Sequence, residues 1–91
     1  MAVLVANYVA RDPETFLTIF SEFQVVRDQH GSTGHRLLRD KHDHTHFIVT
    51  IDFPSEAAAR SFADDPRRAD ALAKATVTDD TAITADEVER R

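Results

Sequence analysis

The sequence predicts an α+β fold in which one antiparallel sheet carries helices on one of its faces. Three observations lead to this prediction. A strongly alternating hairpin lies midway along the chain, a helical pattern lies on each side of it, and a β-branched segment opens the chain. The 91 residues form one domain, residues 1–91. A chain of this length buries only somewhat more than roughly 60% of its unfolded surface, so its core is modest.

Composition and charge exclude several classes of function. The chain is 42% hydrophobic and 30% charged, which is typical of a folded globular protein. Its net charge of -5 argues against nucleic acid and anionic membranes as partners. Without cysteine there is no disulfide framework and no thiolate nucleophile. The apolar run at residues 2–6 lacks a basic leader, so we expect neither a signal peptide nor a membrane span, and a cytoplasmic protein.

The strand signals lie in the first ten residues and in the hairpin. Val3–Ala10 is rich in β-branched residues and apolar on both faces, which is typical of a central strand. The hairpin runs through Gly34–Asp40 and returns through His46–Phe53. Alternation along the second run places four large apolar residues on one face, namely Phe47, Val49, Ile51 and Phe53.

A helix is predicted to begin at Pro13, with Asp12 as its N-cap, and to end at Gly31. Five apolar residues recur in it at spacings of three and four: Phe16, Ile19, Phe20, Phe23 and Val26. This stripe predicts a helix that faces the core, and an aromatic ligand box is the alternative.

Two shorter helices and a last strand are predicted beyond the hairpin. Ser55 caps a helix that ends just before Asp65 and Pro66, and these two residues begin a third helix that extends to about Ala75. Thr81–Val88 is the predicted closing strand.

The order strand, helix, strand, strand, helix, strand is the βαββαβ pattern of ferredoxin-like folds, which leave one sheet face open. We expect an apolar patch on that face formed by Leu4, Ala6, Tyr8 and Ile48. A small monomer rarely exposes such a surface, so we expect a homodimer formed by sheet-to-sheet packing.

Four segments carry a resemblance to the dimeric α/β-barrel superfamily, and within it to antibiotic-biosynthesis-monooxygenase-like proteins. They are VLVANYV, the Gly34–Arg39 strand, HFIVTIDFPSEAAARSF and the Asp65-Pro66 pair, and together they cover nearly the whole chain. The resemblance implies a ferredoxin-like domain that pairs as a dimeric α/β barrel.

Haem-degrading members of the superfamily use an asparagine, a tryptophan and a later histidine. Asn7 matches the asparagine, Phe62 occupies the place of the tryptophan, and the place of the histidine falls near Ala71. The axial ligand is missing, so we expect neither haem degradation nor a cofactor. Asn7 remains the catalytic candidate, because its amide could hold a substrate carbonyl or oxyanion. The alternative is that Asn7 bonds neighbouring backbone.

The histidines give no strong site. His42, His44 and His46 alternate through the hairpin turn, where we expect a solvated loop, with adventitious metal capture as the alternative and no metal site predicted. His35 begins a strand and is interpreted as an ordinary hydrogen-bonding residue rather than a general base. The Arg67-Arg68 pair is interpreted as solvated charge.

Two functions from different classes follow. The first is a cofactor-independent monooxygenase or cyclase that acts on an aromatic or polyketide-like small molecule in an apolar pocket between helices and sheet. Asn7 would be its polar anchor, and its walls would be Phe20, Phe23, Phe53 and Phe62. The alternative is a non-catalytic homodimer that binds a small apolar molecule or serves as an assembly module.

Overall fold

The structure, a computed structural model, describes residues 1–91. Its four strands form one sheet in the order β2-β3-β1-β4, and all neighbouring strands are antiparallel. This arrangement confirms the predicted ferredoxin-like α+β fold. The elements are β1 (Ala2–Ala10), α1 (Pro13–Glu22), α2 (Gln24–Gln29), β2 (Gly34–Arg39), β3 (His46–Phe53), α3 (Glu56–Ala63), α4 (Pro66–Lys74) and β4 (Val77–Asp86). None of the helices is both long and apolar enough to span a bilayer.

The core lies between the helices and one face of the sheet. The alternation predicted for β3 is confirmed, because its four large apolar residues are buried. The register pairs Leu4 with Ile51, Ala6 with Val49, and Tyr8 with Phe47. Residues opposite one another in a ladder share a face. Leu4, Ala6 and Tyr8 are therefore buried beneath the helices as well.

The predicted apolar patch on the open side of the sheet is wrong for three of its four residues. Leu4, Ala6 and Tyr8 belong to the core, and only Ile48 lies on the opposite side. Both faces of β1 are mostly apolar, so alternation could not choose between them. The pairing with β3 makes that choice. The side away from the helices, called the open face below, carries the apolar residues Val3, Val5, Val9, Leu38, Ile48, Ile83 and Ala85.

The long helix predicted after Pro13 is divided at Phe23 into α1 and α2. Arg27 accompanies this break. Its side chain is only 2% exposed, its Nη2 donates to the Phe20 carbonyl at 2.8 Å, and its guanidinium lies 4.0 Å from the centre of the Phe20 ring. The carbonyl at the end of α1 is thereby satisfied without a glycine. Gly31, with φ of +82°, follows α2 and turns the chain toward β2.

The last two helices begin as predicted. Ser55 accepts from the Ala58 amide at 3.1 Å, and Asp65 accepts from the Arg67 amide at 2.9 Å. The last strand begins earlier than predicted, at Val77, because pairing with β1 holds a segment of low strand propensity in the sheet. Helix α4 contains no buried residue.

Thr76 joins α4 to β4 in a left-handed conformation with φ of +62°, which is rare for a β-branched residue. Two long-range hydrogen bonds hold it there. The Asp12 amide donates to Thr76 Oγ1 at 2.8 Å, and the Arg11 amide donates to the Thr76 carbonyl at 2.9 Å. The C-terminal end of α4 is thus fixed to the loop that precedes α1.

Candidate functional site

An apolar cavity of about 30 Å³ lies between the sheet and helices α1, α3 and α4. Ten of its eleven lining residues are hydrophobic. The sheet contributes Tyr8 and Ile51, and the helices contribute Phe16, Ile19, Phe20, Phe23, Phe62, Arg68, Ala71, Leu72 and Ala75. Five of the lining residues are aromatic, five are aliphatic, and Arg68 is the one charged residue among them.

The helical period of α4 brings Arg68 to this cavity. Arg68, Leu72 and Ala75 follow one another at spacings of four and three, so they share one face of the helix. Arg67 lies one position earlier, is exposed, and pairs with Asp65 at 2.8 Å. The prediction that both arginines are solvated charges is therefore wrong for Arg68, whose side chain is only 11% exposed.

Arg68 and Tyr8 form the polar end of the cavity. Arg68 Nη2 donates to Tyr8 Oη at 3.0 Å and lies 3.5 Å from Asp80 Oδ1. The Arg68 Nε–H is buried and has no hydrogen-bond acceptor. Burial raises the pKa of the Tyr8 phenol, and the nearby Arg68 guanidinium only partly opposes this rise. Tyr8 therefore remains protonated at neutral pH.

Two hydrogen-bond donors are left without acceptors at this place. The Tyr8 hydroxyl accepts from Arg68 and donates to no protein atom, and the Arg68 Nε–H is unpaired. Buried donors are normally satisfied, and an unsatisfied one is costly. Beside an apolar cavity, such donors suit an oxygen atom that carries or develops negative charge.

A second, open depression adjoins the cavity between α4 and β4. It measures about 330 Å³, and Arg68 and Leu72 line both spaces. A cavity of about 30 Å³ is far below the roughly 300 Å³ of small ligand sites. A fused aromatic ring therefore requires the cavity to widen. Helix α4 has no buried residue, although Thr76 holds its C-terminal end.

The structure separates the residues that the sequence grouped in one pocket. Phe20, Phe23 and Phe62 line the cavity. Phe53 does not line it, but packs behind Phe62 with ring centres 5.5 Å apart. Asn7 lies on the open face, on the other side of the sheet from the cavity. A polar anchor at Asn7 and aromatic walls therefore do not meet in one pocket of this protomer.

Asn7 is paired with a histidine rather than with backbone. Its Oδ1 lies 3.0 Å from His46 Nε2, and His46 Nδ1 lies 3.7 Å from Asp40 Oδ2. The short Asn7 contact places the proton on His46 Nε2, because an amide oxygen can only accept. Asp40, His46 and Asn7 thus form a connected polar group at one end of the open face.

The other histidines of the hairpin turn do not join this group. His42 and His44 are exposed in the turn, which is held by the Asp40 carboxylate accepting from the His42 amide at 2.7 Å. No three histidine, cysteine, aspartate or glutamate side chains of the protein are arranged to hold a metal ion.

His35 also differs from its prediction. Its ring packs edge-on against Phe20 with centres 5.4 Å apart, and no hydrogen bond holds it. Partial burial lowers the pKa of its imidazole, with a smaller contribution from the Arg27 charge. An ordinary hydrogen-bonding role for His35 is therefore not seen.

Sequence reasoning missed Tyr8 and Arg68 as site residues. Tyr8 was assigned to the wrong face of β1. Arg68 lies in a helix with few bulky apolar residues, so the sequence offered little indication that Arg68 shares a face with Leu72. Continuing the period of α4 from Leu72 back by four residues would have placed Arg68 on that face.

No protein-family model matches the sequence, and no curated relative matches it. Several solved structures share the fold at low identity. A variant of SnoaB, a cofactor-independent oxygenase from Streptomyces nogalater, is 15% identical with a TM-score of 0.81, over 98% of this chain and 94% of that one. A protein from Deinococcus radiodurans, provisionally named an antibiotic biosynthesis monooxygenase, is 19% identical with a TM-score of 0.73, over 100% and 96%.

A protein from Bordetella bronchiseptica with the same provisional name is 9% identical with a TM-score of 0.81, over 97% of each chain. These likenesses span whole chains on both sides. The chain has the fold of the antibiotic biosynthesis monooxygenases. The resemblance predicted from the sequence is thus confirmed at the level of the fold.

Proposed function

We propose that this protein is a cofactor-independent oxygenase that acts on an aromatic, polyketide-like small molecule. The observation that carries the proposal is the cavity itself: aromatic walls, with Arg68 and Tyr8 as its only polar groups. The fold adds support, because SnoaB, which shares it, is a cofactor-independent oxygenase. Fold alone does not fix function, so the site is the stronger argument.

Oxygenation without a cofactor requires a substrate that can itself give electrons to dioxygen. A fused-ring phenol such as 1-naphthol loses its O–H proton, and the ring carbon opposite the oxygen then bonds to dioxygen to give a hydroperoxide. Loss of that carbon's hydrogen with cleavage of the O–O bond releases water and leaves a quinone. One oxygen atom enters the product and the other leaves as water. The aromatic walls would hold the ring flat and exclude bulk water.

A homodimer formed by sheet-to-sheet packing is part of the proposal. The open face is the support for it, because it carries seven apolar residues, of which Ile83 is 65% exposed and Leu38 is 42% exposed. Monomeric proteins rarely leave such a continuous apolar face in water. A two-fold axis over the sheet would cover the same surface in both protomers.

Asn7 stays a second catalytic candidate within this dimer. It lies on the open face beside His46, so two facing sheets would enclose its amide in the interior of a barrel. There the amide could stabilise a developing oxyanion. Asn7 and Arg68 lie on opposite sides of the sheet. Replacing each residue separately and measuring oxygen uptake therefore shows on which side the reaction takes place.

Binding without turnover is the second candidate function. It is favoured by one observation: the cavity is lined by no histidine or carboxylate that could take a proton from a ligand. A protein of this kind would hold an apolar molecule without changing it.

Oxygen consumption with 1-naphthol and related fused-ring phenols tests the proposed function. We expect uptake of one dioxygen per quinone formed. Leu72→Trp, which fills the cavity, should abolish uptake, whereas Lys74→Trp on the exposed side of the same helix should preserve it. Tight binding of the phenols without oxygen uptake would instead establish the non-catalytic function.

A further inference from the structure

We propose that Arg68 and Tyr8 together bind the ligand through a single oxygen anion, so that the cavity selects planar phenolates and enolates over neutral aromatic molecules. The inference rests on the proposed function in one respect, namely that the cavity accepts an aromatic ring. It goes further by naming the ionised group that is recognised and the two side chains that recognise it.

The first support is the incomplete bonding of Arg68. A guanidinium has five N–H donors, and in a largely buried setting most of them find acceptors. Here Nη2 is bonded to Tyr8, whereas the Nε–H is buried without any acceptor. The one carboxylate that pairs with this charge, Asp80, lies 3.5 Å from Nη2. A ligand oxygen would supply the missing acceptor for the Nε–H of Arg68.

The second support is the looseness of the one counter-ion. Asp80 Oδ1 lies 3.5 Å from Arg68 Nη2, and the Asp80 side chain is 34% exposed on the edge strand β4. A pair of this length with a hydrated partner contributes little. An anion inside the cavity can therefore replace Asp80 as the partner of Arg68 without breaking a strong bond.

The third support concerns the number of ligand oxygens. A carboxylate is best bound by two parallel N–H donors of the guanidinium. One of the donors of Arg68 is directed to Tyr8 Oη at 3.0 Å. Among the donors that remain, the buried Nε–H of Arg68 and the O–H of Tyr8 belong to two side chains that are hydrogen-bonded to each other, and we infer that they bind one shared ligand oxygen. The arrangement therefore favours a phenolate or enolate over a carboxylate.

A positive charge in an apolar setting stabilises the anion of a bound phenol relative to the neutral form. The pKa of the phenol therefore falls on binding, and its proton is released to solvent. This ionised form is the one that gives electrons to dioxygen. The same two residues would thus both select the substrate and prepare it.

The test compares a phenol with its hydrocarbon of the same ring size. Binding of 2-naphthol and naphthalene is measured under nitrogen, and the absorption spectrum reports whether the naphthol is ionised. We expect the apparent pKa of bound 2-naphthol to fall by at least about one unit, which is tenfold in affinity of the anion over the neutral form. Naphthalene should bind without any dependence on pH.

Four variants assign this effect. Arg68→Met should lose about tenfold or more in affinity for 2-naphthol together with the naphtholate spectrum, yet keep its affinity for naphthalene. Tyr8→Phe should lose less, and Asp80→Asn should bind 2-naphthol more tightly because the competing carboxylate is gone. Arg60→Met, at an exposed arginine that does not line the cavity, is the control. If Arg68→Met fails to fold, Arg68→Lys keeps the charge and should retain the spectrum in part.

The outcomes separate the two proposals. An unchanged pKa of 2-naphthol bound to the parent protein, or equal 2-naphthol affinity in Arg68→Met, overturns the oxyanion inference and leaves the cavity site standing. Failure of both probes to bind contradicts the proposed function and the inference with it.

Discussion

The two faces of the sheet are built from the same strands and differ in almost every physical respect. Alternate residues of β1 enter the core beneath the helices or lie half-buried on the open face. In β1 both faces are mostly apolar. What differs is the layer that covers each face, so burial here is decided by the neighbouring elements and not by hydrophobicity of the strand.

The polar groups of the two faces differ in a second way. On the open face, the His46 ring lies between Asn7 Oδ1, at 3.0 Å from its Nε2, and Asp40 Oδ2, at 3.7 Å from its Nδ1. On the covered face, Arg68 and Tyr8 are bonded to each other but retain donors without acceptors. The covered face is thus the side where a ligand improves the hydrogen bonding of the protein. The unmatched donors are therefore the reason to place the candidate site on the covered face.

The largest effect should come from emptying the covered face. Phe62→Ala removes a side chain that is 3% exposed and contacts the rings of Phe23 and Phe53. We expect the free energy of unfolding to fall by about 3–5 kcal/mol in urea titrations. Val25→Ala, at a 58% exposed apolar residue of α2, should change it by less than about 0.5 kcal/mol. Equal losses in the two variants would contradict the distinction between covered and exposed apolar residues.

The next effect concerns the open face. Ile83→Asp places a carboxylate among the apolar residues of the open face, and should convert the protein from dimer to monomer while the monomer stays folded. Light scattering after size exclusion measures the mass, and circular dichroism checks the fold. Val88→Asp, beyond the end of β4, is the matched control and should remain dimeric. A parent protein that is monomeric at micromolar concentration would refute the dimer.

A smaller effect, dependent on pH, is expected at the start of α4. Hydrogen bonds from Arg67 and His30 hold the pKa of Asp65 well below its usual range. A carboxylate whose folded pKa is depressed contributes stability above its unfolded pKa of about 4, and this contribution is lost as the pH falls through the folded pKa. Asp65→Asn should therefore be less stable than the parent near neutral pH.

The difference in stability between Asp65→Asn and the parent protein should shrink as the pH falls below roughly 4. Thermal unfolding measured from neutral to strongly acidic pH checks this. Asp70→Asn, at an exposed position of the same helix, should follow the parent protein throughout. A difference between Asp65→Asn and the parent that stays constant with pH would contradict the role given to the charge.

Local chemistry made much of the fold predictable. The N-caps Asp12, Ser55 and Asp65 predicted where α1, α3 and α4 begin. Each side chain can accept a hydrogen bond from a backbone amide that the first turn of the helix leaves unpaired. The alternation of apolar and polar residues along β3 predicted which of its faces is buried. Both signals act within a few residues along the chain, so a sequence displays them directly.

Long-range pairing made the rest unpredictable. The buried face of β1 depends on its register with β3, and the conformation of Val77–Asp86 depends on pairing with β1. The cavity depends on both, since Tyr8 and Arg68 are 60 positions apart in the chain. Asn7 was grouped with the aromatic walls because one strand cannot indicate which neighbours cover each of its sides.

Nuclear magnetic resonance of the labelled protein during titration with naphthalene tests the central claim most directly, because each backbone amide reports on one face of the sheet. The account predicts that shifts concentrate at the cavity, in Phe20, Phe62 and Leu72, while Val5, Ile48 and Ile83 of the open face stay unchanged. Shifts confined to the open face, or none at saturating naphthalene, would contradict a ligand site between the helices and the sheet.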